Sequence, residues 1–121
     1  MFSHISFASI PVVDLERARD FWRDKMGLTV AVDASYGESR WIMLEIPGAN
    51  TRLHLDKVAA MPAADEPALP LIAPDVVGTI TSLRRQGVEV TTEPRPAEWD
   101  PGTTYAMVRD SEGNLILIAS H

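Results

Sequence analysis

One pattern runs twice along this chain, and it restricts the fold more than any other feature. Ile5 to Val12 is apolar and β-branched and leads through Pro11 to Asp14. Leu15, Ala18, Phe21, Trp22 and Met26 then recur at helical spacing as far as Gly27. A strand followed by an amphipathic helix is predicted, with Asp14 as its N-cap and Gly27 just past its end. Thr29 to Asp33 reads as a second strand and Ser35 to Glu38 as a loop. Trp41 to Ile46 and Thr51 to Asp56 read as a hairpin closed by Pro47-Gly48-Ala49-Asn50. The order then repeats. Leu69 to Ala73 is a strand, Asp75 a cap, and Val76, Val77, Ile80 and Leu83 an apolar stripe ending at Gly87. Glu89 to Thr92 is a strand, Glu93 to Gly102 a Pro-rich loop, and Thr104 to Arg109 with Leu115 to Ser120 a hairpin.

The duplication predicts an α+β fold of two βαβββ modules, residues 4–56 and 69–120, in one domain spanning residues 1–121. Residues 57–68, rich in Ala and Pro, read as a surface linker. In each module a helix covers one face of a curved mixed sheet, so the uncovered faces are expected to enclose a shared cleft.

Composition narrows the function classes. The formal charge of -6 opposes binding to a phosphate backbone or an anionic bilayer, both of which require clustered Lys and Arg; neither nucleic acid nor membrane is expected as a partner. With no Cys, disulfides, thiolate nucleophiles and thiolate metal ligands are ruled out. No apolar run approaches the ~20 residues of a membrane span, and Met1 to Ile5 lacks a basic stretch leading into an apolar core, so a cytoplasmic protein is expected.

Three stretches carry a family resemblance: Ile10-Pro11-Val12-Val13-Asp14-Leu15 through Phe21-Trp22 to Met26-Gly27-Leu28; Pro74-Asp75-Val76 to Arg85-Gln86-Gly87-Val88; and Arg109-Asp110-Ser111-Glu112-Gly113-Asn114-Leu115. Together they span nearly the whole chain, which resembles the vicinal oxygen chelate superfamily of glyoxalases, bleomycin resistance proteins and extradiol dioxygenases. The resemblance implies the paired-module fold. In metal-using members it also implies one ligand, His, Glu or Gln, on each of four strands around a divalent ion. The matching positions here hold Phe7, His54, Ala68 or its neighbour, and Leu117, of which His54 alone can bind a metal. One imidazole does not make a site. No cofactor is expected on this reading, and a divalent metal only if the site has been rebuilt around His54.

Strand alternation predicts which side chains line the cleft. Ile42, Leu44, Ile46, Leu53 and Leu55 suit the helix-covered faces. That leaves Phe7, Ser9, Trp41, Met43, Glu45, Arg52 and His54 for the cleft, with Tyr105, Met107 and Leu117 from the second module. Aromatic and apolar walls with a few polar groups suit a small-molecule pocket, and a filled core would explain the same residues. Glu45 and Arg52 also read as a cross-strand ion pair. Trp99, in the second module's loop, is either a lid or an anchor at a subunit contact. His4 and His121 read as bystanders.

The expected function is small-molecule binding of the bleomycin-resistance type by a homodimer. Two enzymatic alternatives stay open: a glyoxalase- or dioxygenase-like enzyme with a rebuilt metal site that includes His54, and a metal-free acid-base catalyst using Glu45 and His54.

Overall fold

Asp14 and Asp75 cap the two helices. In the computed structural model, which describes residues 1–121, their carboxylates accept from the backbone N–H of Arg17 at 3.0 Å and of Gly78 at 2.9 Å. Helix α1 (Leu15–Asp24) thus starts one residue after Asp14, and α2 (Val76–Arg85) one residue after Asp75. Past their ends Gly27 and Gly87 take φ of +82° and +84°, which glycine alone adopts without strain.

The chain forms two units, Met1–Pro62 and Ala63–His121. The first holds β1 (Phe7–Val12), α1, β2 (Thr29–Tyr36), β3 (Ser39–Glu45) and β4 (Arg52–Lys57). The second holds β5 (Leu69–Ile72), α2, β6 (Glu89–Pro96), β7 (Thr104–Arg109) and β8 (Leu115–Ala119). Each forms a four-stranded mixed sheet, ordered β1-β4-β3-β2 and β5-β8-β7-β6. β1 runs parallel to β4 and β5 parallel to β8, while the other neighbours are antiparallel. The α+β class and the duplicated module match the expectation from sequence.

The core of each unit lies between its helix and its sheet. Ala18 and Trp22 of α1 are fully buried with Ile10, Val12, Ile42, Leu44 and Leu55, and Leu53 is nearly so. In the second unit Val76, Ile80 and Leu83 of α2 are buried with Ala106, Val108, Ile116 and Ile118. Alternate residues of β3, β4, β7 and β8 are thus helix-facing, and each large side chain so buried contributes about 1.5 to 3 kcal/mol.

Four local expectations need correction. Val77 is 59% exposed, because it sits about 100° around the helix from Val76 and so misses the stripe of Val76, Ile80 and Leu83. Ile46 is also exposed: β3 ends at Glu45, and the carbonyl of Ile46 accepts from Ala49 N–H in the turn that follows. Ser35 and Tyr36 belong to β2 rather than to a loop. Tyr36 pairs with Ser39 across a two-residue connection, Gly37-Glu38, in which Gly37 has φ +61°. Finally, β6 continues to Pro96. As an outer strand with two register shifts it tolerates Pro94 and Pro96, which leaves the loop only residues 97–103.

The turn between β7 and β8 is set by its own side chains. Asp110 Oδ1 accepts from the N–H groups of Glu112 at 2.9 Å and Asn114 at 2.8 Å, Asn114 Nδ2 donates to Asp110 Oδ2 at 3.0 Å, and both residues are buried. No helix is long and apolar enough to cross a membrane.

Candidate functional site

On the first sheet, the residues of β3 and β4 that alternate with the helix-facing ones are Trp41, Met43, Glu45, Arg52 and His54. The ladders fix their neighbours. His54 is opposite Met43 on β3 and Ser9 on β1, while Arg52 is opposite Glu45 on β3 and Phe7 on β1. Directly paired residues share a face, so these side chains stand together.

Three rings form the centre of this face. Trp41 stacks on His54 with centroids 4.0 Å apart and planes 29° from parallel. Phe7 meets Trp41 edge-on at 5.9 Å and His54 at 5.5 Å. His54 is only 9% exposed, whereas Trp41 and Phe7 keep 37% and 38% of their surfaces exposed. Two large aromatic side chains therefore show part of their faces while covering an imidazole. Met43 beside them is buried.

Polar groups border the rings. Ser9 Oγ and His54 Nδ1 are 2.9 Å apart, so either the hydroxyl donates to Nδ1 and Nε2 carries the ring proton, or Nδ1–H donates and Nε2 presents its lone pair. In both tautomers Nε2 is the ring atom left to meet a ligand. Arg52 Nε lies 3.6 Å from Glu45 Oε2, and both side chains are about two-fifths exposed, so the expected cross-strand ion pair is present. Glu45 turns to Arg52 and His54 to Ser9, and no hydrogen bond joins Glu45 to His54.

An open groove of about 800 Å³ runs between the start of α1, the β2–β3 connection and the end of β4, with Trp41 and His54 in its wall and Glu16, Arg40 and Lys57 among its charged lining. Arg40 belongs to a network that sequence reading did not pick out. Its Nε and Nη2 each donate to Asp33 at 2.9 Å, its Nη1 donates to Glu16 at 3.1 Å, and Arg19 Nη1 donates to Asp33 at 2.9 Å. The hydrogen bonds from Arg40, joined by the one from Arg19 against the opposing effect of burial, hold the Asp33 carboxyl at a pKa of about 2; the bonds to Asp33 and Glu16 raise Arg40. The network ties α1 to β2 and β3 next to Trp41. A partial signal exists in the sequence, since Asp33 and Arg40 are diagonal neighbours across the hairpin once its register is known.

On the second sheet, Tyr105, Met107 and Leu117 occupy the equivalent strand positions and are partly buried. Trp99 packs on Tyr105 with centroids 4.8 Å apart. His121, expected as a bystander, has its Nε2 3.1 Å from Thr103 Oγ1, whereas His4 contacts only its neighbour Ser3.

Of the four positions at which the superfamily resemblance implies metal ligands, Phe7 and Leu117 present hydrocarbon and Ala68 lies outside β5. His54 has rings and a hydroxyl around it, and no group of three or more His, Cys, Asp or Glu side chains is arranged to hold an ion.

Residues 2–118 match the model of the Glyoxalase/Bleomycin resistance protein/Dioxygenase superfamily. The chain is 30% identical over 121 residues to uncharacterized protein YetH of Bacillus subtilis (strain 168), with 98% of each covered. Among solved structures it is similar to TnmS3, an antibiotic binding protein from Streptomyces sp. CB03234, at 32% identity and a TM-score of 0.81, covering 97% of this chain and 94% of that one. It is also similar to a glyoxalase/bleomycin resistance protein from the same Streptomyces, at 31% identity and a TM-score of 0.77, covering 95% of this chain and 98% of the other.

Proposed function

This chain belongs to the Glyoxalase/Bleomycin resistance protein/Dioxygenase superfamily, and we propose that within it the protein binds a small molecule without transforming it. The observation that carries this reading is the pair of partly exposed rings, Phe7 and Trp41, that cover the buried His54 on the sheet face opposite α1. Similarity to an antibiotic binding protein supports it. The ligand is flat and largely apolar, so that it stacks on the open ring faces, and carries one anionic or hydrogen-bonding group for Arg52 or His54 Nε2. A homodimer is proposed as the working form, since β1 and β2 end one sheet, β5 and β6 end the other, and outer strands invite pairing with another copy.

Isothermal titration with 2-naphthoate tests the binding site. Trp41→Ala should weaken one binding event by ~1 to 3 kcal/mol, through lost apolar contact. Arg52→Ala should weaken 2-naphthoate but leave the neutral 2-naphthalenemethanol unaffected. Titrations that are indifferent to Trp41 would refute the site. A stoichiometric divalent ion in the native protein, lost in His54→Ala, would refute the metal-free reading in favour of an enzyme. Sizing that returns a monomer across micromolar concentrations would exclude the dimer.

A further inference from the structure

We propose that His121 and the loop of residues 97–103 form a clasp that closes more tightly in acid, so that the order of this loop depends on the charge of one imidazole.

The loop is tied at its base and free at its tip. β6 ends at Pro96 and β7 starts at Thr104, and the connection between them is closed by backbone hydrogen bonds. Ala97 N–H donates to the carbonyl of Thr103 at 2.8 Å, and Thr103 N–H to that of Asp100 at 3.0 Å, with Ala97 and Thr103 buried. Trp99 directly precedes Asp100 and is more than half exposed, resting on Tyr105 with centroids 4.8 Å apart. Whatever holds Asp100 therefore also holds the indole beside it.

His121 holds Asp100 through Thr103, and donor accounting fixes how. Thr103 Oγ1 donates its one proton to Asp100 Oδ2 at 2.7 Å. At its 3.1 Å contact with His121 Nε2 it must then accept, which makes Nε2–H the donor. On the other side of the ring Nδ1 lies 3.3 Å from Ser120 Oγ. That oxygen accepts from Thr104 N–H at 2.9 Å, which leaves its own proton to give to Nδ1. The neutral ring is thus satisfied at both nitrogens, as the Nε2–H tautomer.

A second proton acts in one direction. It adds at Nδ1, where Ser120 Oγ turns to accept through its remaining lone pair, so no hydrogen bond is lost. The cationic ring then faces Asp100 Oδ2, 3.5 Å from Nε2, and the ion pair exists only in this state. The other charged groups on the packed elements are Glu98 in the same loop, Arg95 opposite Tyr105 in the β6–β7 ladder, and Asp75 past the end of β5, whose carboxylate accepts from Gly78 N–H. None of the three forms an ion pair with His121. Histidine as a residue type changes charge between about pH 5 and 8, so acid adds an attraction that only the closed loop can use. Both partners are half exposed or more, which sets the gain at about two- to fivefold in the ratio of closed to open loop.

Amide hydrogen exchange of the intact chain tests the clasp, read at Ala97 and Thr103 as protection relative to the unstructured rate at each pH. Protection should be about two- to fivefold higher at pH 5 than at pH 8. His121→Gln can still donate to Thr103 but carries no charge, and its protection should be the same at both pH values. Asp100→Asn keeps an oxygen for Thr103 Oγ1 and should remove the pH dependence as well. Both side chains are exposed enough to be replaced without loss of the fold. Equal wild-type protection at the two pH values would overturn the clasp, as would a wild-type difference retained in either variant. The clasp requires no ligand, and Trp41→Ala, which alters the first unit's rings, should leave the difference unchanged, so the clasp and the binding reading fail independently.

Discussion

Replacing Trp41 and Trp22 by Ala, one at a time, separates a binding face from a core. Trp22 is fully buried between α1 and the sheet, and its removal leaves a void that close-packed neighbours fill only in part. A loss of about 3 to 5 kcal/mol is expected for Trp22→Ala. Trp41 differs in two ways. Since 37% of it is exposed, about two-thirds of its surface is covered, and that share of a full burial amounts to about 1 to 2 kcal/mol. Its stack on His54 adds about 0.5 kcal/mol, but water can occupy the vacated space, so no cavity penalty follows. Trp41→Ala should therefore cost about 1.5 to 2.5 kcal/mol, well below Trp22→Ala. Urea denaturation followed by far-UV circular dichroism measures both without depending on Trp emission, and unchanged slopes would confirm that midpoint shifts report stability. If Trp41→Ala loses as much as Trp22→Ala, Trp41 is core, and the face assigned to ligand binding is filled by the protein itself.

Acid titration addresses the network beside the groove. Asp33 has its pKa lowered from 3.8 to about 2, so its contribution is present above the ordinary value and is lost as pH falls through the folded one. Wild-type stability should drop by about 1 to 2 kcal/mol between roughly pH 4 and pH 2 on this account, after allowing for solvent screening, and Asp33→Asn should remove that part of the slope. The second helix cap offers a test by non-additivity. A Cβ at Gly78 would stand 2.9 Å from Asp75 Cγ and displace the capping carboxylate. Gly78→Ala should thus lack the gain of about 1 kcal/mol that Ala normally brings to a helix, and should recover it in an Asp75→Ala background. Additive effects across this pair, measured by thermal unfolding, would mean that the cap and Gly78 are independent.

What could be read in the sequence divides along a physical line. Asp14, Asp75, Gly27 and Gly87 were legible because a cap or a positive-φ exit is decided within a few residues. Ile42 with Leu44, and Leu53 with Leu55, were legible because a period of two assigns faces wherever one side is buried. Strand ends were less so. Pro94 and Pro96 read as breakers, yet β6 is an outer strand whose register shifts accommodate them, and only the strand order reveals that.

The site shows the same division. Its facing residues followed from alternation, whereas its chemistry depends on neighbours that alternation cannot supply. Ser9 reaches His54 because β1 lies parallel beside β4 at a register that sets Ser9 opposite His54. A shift of one residue would set Ala8 there and leave the imidazole without its hydroxyl partner. Arg19 likewise reaches Asp33 only once α1 packs across β2, which lies 14 residues away in sequence from one partner to the other. The hydrogen bond at Nδ1 leaves Nε2 to a ligand, and the ion network fixes the strand pair that carries Trp41. The candidate site therefore depends on pairings of high sequence separation more than on any motif, and its residue types could be read from the chain before their partners could.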